Sequence, residues 1–143
     1  MSIFEDLISK DSTRIWASAC AIRKLRDKQL LAELADQIEA IRAATNGVPL
    51  GGALRPNSSH LDFAIKKLEH VRSSSECLCS LYLMDDLFDP NSEAKDGNVQ
   101  ILETTRIDGK WIDFYTCRCT SCGAIFKAEE RQYHYSWWAW KRA

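Results

Sequence analysis

The pairs Cys77-Leu-Cys79 and Cys119-Thr-Ser-Cys122-Gly123 constrain this chain more than any other feature. Two such pairs can bring four thiolates to one tetrahedral ion, so both must arrive at one point of the fold. The second pair is the more specific. A Cys-x-x-Cys-Gly turn aims two sulfurs and several backbone N–H groups inward, and Gly123 tolerates the close turn that follows. Phe126 comes next, where an aromatic ring covers such a knuckle. The reading is a zinc ion on Cys77, Cys79, Cys119 and Cys122. Four cysteines leave no coordination position for water, so this Zn2+ is expected to be structural.

The two pairs are separated by 39 residues, more than a compact zinc ribbon uses. On an extended strand Cys77 and Cys79 face one side. Cys117-Arg-Cys119 copies their spacing, so Cys117 either replaces one ligand or stands by. Two other readings compete: five reduced core cysteines, or a redox-active Cys119-Thr-Ser-Cys122. The redox reading needs a strand before the motif and a helix after it, whereas both flanks read as strand. Cys20, on a helix, reads as a small buried hydrophobe. Met1–Asp6 shows no secretory leader, so a cytoplasmic, reducing location is expected, in which clustered cysteines bind metal rather than pair. No apolar run is long enough for a membrane span.

A hydrophobic content of 45% and a charged content of 27% are those of an ordinary globular chain. The net charge of −1 hides an asymmetry: residues 1–75 carry 11 basic and 9 acidic side chains, residues 76–143 carry 8 and 11. Within 85–113 eight acids face three bases. That sign opposes phosphate binding, so nucleic acid is not the expected partner. Asp85, Asp86, Asp89, Glu93 and Asp96 instead form an acidic loop suited to a basic protein, or simply a solvated turn.

Residues 1–75 read as a helical region of about three helices. Asp11-Ser12-Thr13 starts one, with Ile15, Ala19, Ile22 and Leu25 as its stripe. After a polar break at Asp27-Lys28, Leu31, Leu34, Ile38 and Ile41 form a second stripe, ending at Asn46-Gly47. A Gly- and Pro-rich loop, 48–57, leads to Asn57-Ser58-Ser59, a cap for a third helix that ends at Ser73-Ser74-Ser75. Residues 76–143 read as a zinc-binding antiparallel β region: strands at 78–83, 99–107, 110–117 and 124–135, with Asp108-Gly109 as a hairpin turn. The fold class is α+β, a helical unit packed on a zinc-stabilised antiparallel sheet in one compact unit. The zinc is expected to tie the end of the third helix to the last hairpin.

No catalytic constellation emerges, and the expectation is a protein that is not an enzyme. The zinc deaminase, zinc protease, nucleophile-elbow and P-loop patterns are all missing, and Gly51-Gly52 lacks the Lys-Ser/Thr of a phosphate loop. His60 and His70 read as surface or helix-end residues. Nine of the 14 aromatics lie between Trp111 and Trp140. They either pack the sheet or, at Trp137 and Trp138, supply contacts to a partner.

Arg14-Ile-Trp-Ala-Ser-Ala, Leu50-Gly-Gly, Pro56-Asn57 and Cys77-x-Cys79-x-x-Tyr82 precede Cys119-x-x-Cys122-Gly123-x-x-Phe126, Glu130-Arg131-x-Tyr133-His134 and Trp137-Trp138-x-Trp140. This succession resembles the immunity proteins of contact-dependent growth inhibition systems, small bacterial proteins encoded beside polymorphic toxins. The resemblance implies a protein partner, the cognate toxin domain, often a basic nuclease whose active site is blocked. A zinc-ribbon nucleic-acid-binding regulator, using Arg131, Lys141 and Arg142 with the terminal aromatics, is the alternative.

Overall fold

The computed structural model describes residues 2–53, 55–107, 111–132 and 136–143. The chain divides into two compact units, Met1–Ser75 and Glu76–Ala143, one helical and one mainly β. The class is therefore α+β.

The first unit holds five helices: α1 (Ile3–Leu7), α2 (Ser12–Lys24), α3 (Lys28–Ala35), α4 (Ile38–Thr45) and α5 (Ser58–Ser73). Three starts are capped alike. Ser2, Asp11 and Asp27 each accept the N–H of the residue three further on, satisfying one of the donors a helix start leaves free. The expected second helix is really two. Gln37 N–H turns to the Leu34 carbonyl at 3.0 Å, an i to i−3 bond that tightens the chain between α3 and α4. Leu31, Leu34, Ile38 and Ile41 are buried on both sides of that break, which is why their periodicity reads as one helix.

Asn57 precedes α5 without capping it; its amide donates to the Leu50 carbonyl and steadies the 48–57 loop instead. In that loop Gly52 adopts φ +117°, and an added Cβ would lie 2.4 Å from the Arg55 carbonyl. Gly52 thus answers to backbone crowding, and Gly51 to its φ of +77°. Lys67 is buried on α5, and its ammonium donates to the carbonyls of Ile22, Arg23 and Leu25 at 2.7–2.9 Å. It thus closes the C-terminus of α2, where carbonyls lack helical partners. His70, expected at the surface or at a helix end, lies buried in the last turn of the same helix. His60 meets the edge of Trp16.

The second unit opens with a 3-10 turn at Leu78–Met84, where a strand was expected. Its burial does not alternate: Cys79, Ser80, Leu81 and Tyr82 are all buried in succession. Ser80 directs both its N–H and its hydroxyl to the Cys77 carbonyl, closing the chain into a turn. The acidic segment is not all loop either. It contains α6 (Pro90–Lys95), with Asp89 as its cap and Pro90 at its first position.

Four strands follow: β1 (Val99–Ile107), β2 (Trp111–Cys119), β3 (Ile125–Gln132) and β4 (Ser136–Arg142). They form an antiparallel sheet in sequence order. The fourth strand is thus the aromatic C-terminal segment, not 78–83. The expected hairpin turn at Asp108-Gly109 lies outside the described residues, as do Tyr133, His134 and Tyr135. One sheet face carries Tyr115, Cys117, Cys119, Phe126, Ala128 and Trp140, all buried. Tyr82 sits at the centre of this core. It stacks on Trp140 at 4.2 Å and meets Phe88 and Phe126 edge-on at 5.0 and 5.8 Å. Trp140 donates its indole N–H to the Phe88 carbonyl at 2.9 Å.

Candidate metal centre

All four expected ligands come together, and all four belong to the β unit. Cys77 stands at the cap position of the 3-10 turn and Cys79 within it; Cys119 ends β2 and Cys122 lies in the turn after it. The strand geometry expected to align Cys77 with Cys79 is absent, and the tight turn aligns them instead. The described ligands tie this turn to the β2–β3 connection.

The knuckle is built by its backbone. Gly123 takes φ +79°, its N–H reaches the Cys119 carbonyl at 2.9 Å, and the Cys119 N–H reaches the Ala124 carbonyl at 2.8 Å. Thr120 anchors the turn to the start of β1, its N–H and hydroxyl bonding to the Asn98 carbonyl and the hydroxyl also to that of Gly97. Phe126, placed as a cover by its spacing, is fully buried among Tyr82 and Trp140.

The sulfurs of Cys77 and Cys119 are 3.7 Å apart, those of Cys79 and Cys122 3.5 Å apart, and all four lie within 4.8 Å of one another. Four thiolates at ~2.3 Å around a tetrahedral zinc stand ~3.8 Å apart, so the donor set fits such an ion. Four free thiols at this separation can hold a metal ion, and their burial grades from Cys79 and Cys119, enclosed, to Cys122, exposed.

Their acidities differ in a way that suits the task. Burial pushes the Cys119 thiol up, but the N–H groups of Cys122 and Ser121, with the thiols of Cys77 and Cys122, bring it down to about 7. That is the electrostatic signature of a knuckle whose amides point at sulfur. Burial raises Cys77, and burial with the adjoining Cys122 and Cys77 thiols raises Cys79. Without a cation these two stay protonated, and a bound metal would have to displace their protons.

Cys117 is resolved as a bystander. It is fully buried on the core face of β2, outside the four-sulfur group, and burial raises its thiol to about 11. Cys20, expected to be buried, is half-buried on α2.

The acidic residues have local tasks that their spacing did not reveal. Asp85 accepts the N–H of Leu87, Asp89 caps α6, and Glu93 accepts from the Tyr82 hydroxyl at 2.7 Å. Asp96 is exposed, and Asp85, Asp86, Asp89 and Glu93 are half-buried. Trp137 and Trp138 are half-buried on β4, and the Trp138 backbone N–H donates to the Asp86 carbonyl at 2.9 Å. That bond links the aromatic strand to the acidic segment.

Comparison with protein-family models, with curated proteins and with solved structures finds no match to the chain. No helix among the described residues is long and apolar enough to cross a membrane.

Proposed function

We propose that this chain is a non-enzymatic, cytoplasmic binding protein that neutralises a cognate toxin domain, with a structural Zn2+ on Cys77, Cys79, Cys119 and Cys122 holding its β unit in shape. One observation carries the reading: the acidic segment is ordered before any partner arrives. The Asp89 cap, the Tyr82–Glu93 bond, the Asn91–Tyr115 bond at 3.0 Å and the Trp138–Asp86 bond hold it against the sheet. A surface already ordered loses little freedom on binding, and its carboxylates accelerate encounter with a basic partner. Nuclease toxins are basic because they must hold phosphates. Zinc suits the site because four soft thiolates in a tetrahedron favour that ion, and a closed set gives it a structural role.

The test pairs the chain with the C-terminal domain of a large secreted effector encoded directly upstream of its gene. A tight complex that abolishes the toxin's activity is expected. Replacing Asp85, Asp86 and Asp96 by Lys should slow association roughly tenfold at low salt with little change in dissociation. Asp89 is left intact because its loss would uncap α6. Absence of a complex removes the toxin reading, and unchanged association removes the acidic segment from the interface. Elemental analysis should find one zinc per chain; a different metal, or none, overturns that assignment.

A further inference from the structure

The sheet has a second face, and the strand register gives it a character that the linear sequence conceals. Opposite the buried Tyr115, Cys117, Phe126 and Ala128, the alternating positions are Phe114, Thr116 and Arg118 on β2, and Lys127, Glu129 and Arg131 on β3. On β4 the register adds Trp137, Ala139 and Lys141. Lys127 lies directly across from Lys141, a juxtaposition of like charges that costs sheet stability. Arg118 is the diagonal neighbour of Lys127, since Thr116 pairs with Lys127 and Arg118 with Ile125. Lys127 therefore stands within roughly 5–8 Å of each of the other two, with Arg118 and Lys141 on the strands either side of it.

Among the described residues no carboxylate pairs with these three. Glu129 is engaged by Arg131 at 2.6 Å, and Glu103 lies beyond Thr116 on the edge strand β1. Arg118 and Lys141 are exposed, and the Lys127 ammonium stands 4.7 Å from the centre of the Phe114 ring. Phe114 and Trp137 are both half-exposed on this face, Phe114 beside Lys127 and Trp137 further along β4, across from Arg131.

We infer that this face binds single-stranded nucleic acid without strong sequence preference. Cations spaced across a flat sheet hold successive phosphates, and aromatic rings on the same face offer bases a stacking surface. A duplex hides its base faces and would gain only the phosphate contacts. The cations come from three strands and lie 9 and 14 residues apart in sequence, so the negative charge of residues 76–143 does not describe this surface. The cations lie on the open sheet face, whereas the acidic segment meets β4 along its edge at Trp138, and the proposal does not depend on the toxin reading.

The test uses the full metal-loaded chain and a fluorescein-labelled 20-nucleotide oligo-dT, followed by anisotropy between 50 and 300 mM KCl, as experimental conditions of about that range keep phosphate contacts measurable. Binding should weaken with a log–log salt slope of roughly 2, as about three phosphate contacts on a single strand require. Changing Arg118, Lys127 and Lys141 together to Ser should weaken binding at least ~10-fold and flatten that slope. Trp137→Ala should weaken it several-fold while leaving the slope unchanged, the mark of lost stacking. Circular dichroism of each variant checks that the sheet is intact, and a variant that loses it is replaced by single substitutions of Arg118 and Lys141. No binding at 50 mM salt, unaltered binding by the charge variants, or equal displacement by poly-glutamate overturns the proposal.

Discussion

At the scale of single residues, the four ligands were legible because Cys-x-Cys and Cys-x-x-Cys-Gly state their chemistry in their spacing. The role of Cys117 was not, since strand alternation places it on the same face as Cys119 and only distance separates it from the cluster. The two can be told apart. Cys122 is exposed, so in metal-free protein Cys122→Ser should change stability by less than about 0.5 kcal/mol. In metal-loaded protein the same variant should lose the ion and melt far lower. Cys117→Ala should behave oppositely, keeping full metal stoichiometry while losing roughly 1–2 kcal/mol from its emptied core position. Metal content and melting of the two variants decide the matter. Acidity adds a second prediction. Cys77 and Cys79 are raised above the ordinary thiol range, so both are protonated at neutral pH and both protons leave on metal binding. Apparent affinity should therefore rise with pH, by at least roughly 100-fold per unit from these two protons. Below about 7 the Cys119 thiol is protonated as well, and the dependence should steepen by one further proton. Chelator competition across that range measures the slope; a pH-independent affinity would show that the thiols do not bind as thiolates.

At the scale of elements, starts were easier to read than conformations. Asp11 caps its helix as its side chain suggests, because an N-cap is a local event, and Asp27, read only as a polar break, caps α3. The break between α3 and α4 leaves the buried stripe in register and so leaves no trace in hydrophobic periodicity. The 78–83 run misled for a related reason: a short, mostly apolar run suits a strand or a tight turn, and the hydrogen bonds of Ser80 choose the turn. Lys67 shows what neither pattern nor composition carries. On the sequence it is one of two adjacent lysines, yet its ammonium binds three carbonyls at the end of α2 while its neighbour Lys66 is exposed. Lys67→Met keeps the buried stem and removes the donor. The three carbonyls would lose a charged partner, at a cost of about 2–4 kcal/mol. Lys66→Met should be neutral to within about 0.5 kcal/mol. Chemical denaturation of both variants makes the comparison, and equal stabilities would show that the helix end is served by water.

At the scale of the whole molecule, the division at Ser75 separates two different sources of stability. The helical unit buries Leu7, Ile15, Ile22, Leu31, Leu34, Ile38, Ile41 and Leu68 among its own helices. The β unit has 68 residues, a 3-10 turn and a short helix beside its sheet, and an aromatic core centred on Tyr82. Units of that size commonly need a metal or disulfides to supplement the core, and here all six cysteines are free thiols. A structural zinc site contributes on the order of 10 kcal/mol, comparable to the whole stability of a small domain. Metal removal should therefore unfold the two units unequally. Four of the five tryptophans, Trp111, Trp137, Trp138 and Trp140, lie in the β unit, so fluorescence reports mainly on it. Circular dichroism at the helical band reports mainly on residues 1–75, which hold five of the six α-helices among the described residues. On titration with a strong chelator, fluorescence should shift to that of solvated indole while most of the helical signal persists, and re-addition of Zn2+ should reverse the shift. If both signals fall together, the helical unit draws its stability from the metal centre as well, and the buried residues of 1–75 are not sufficient to hold it.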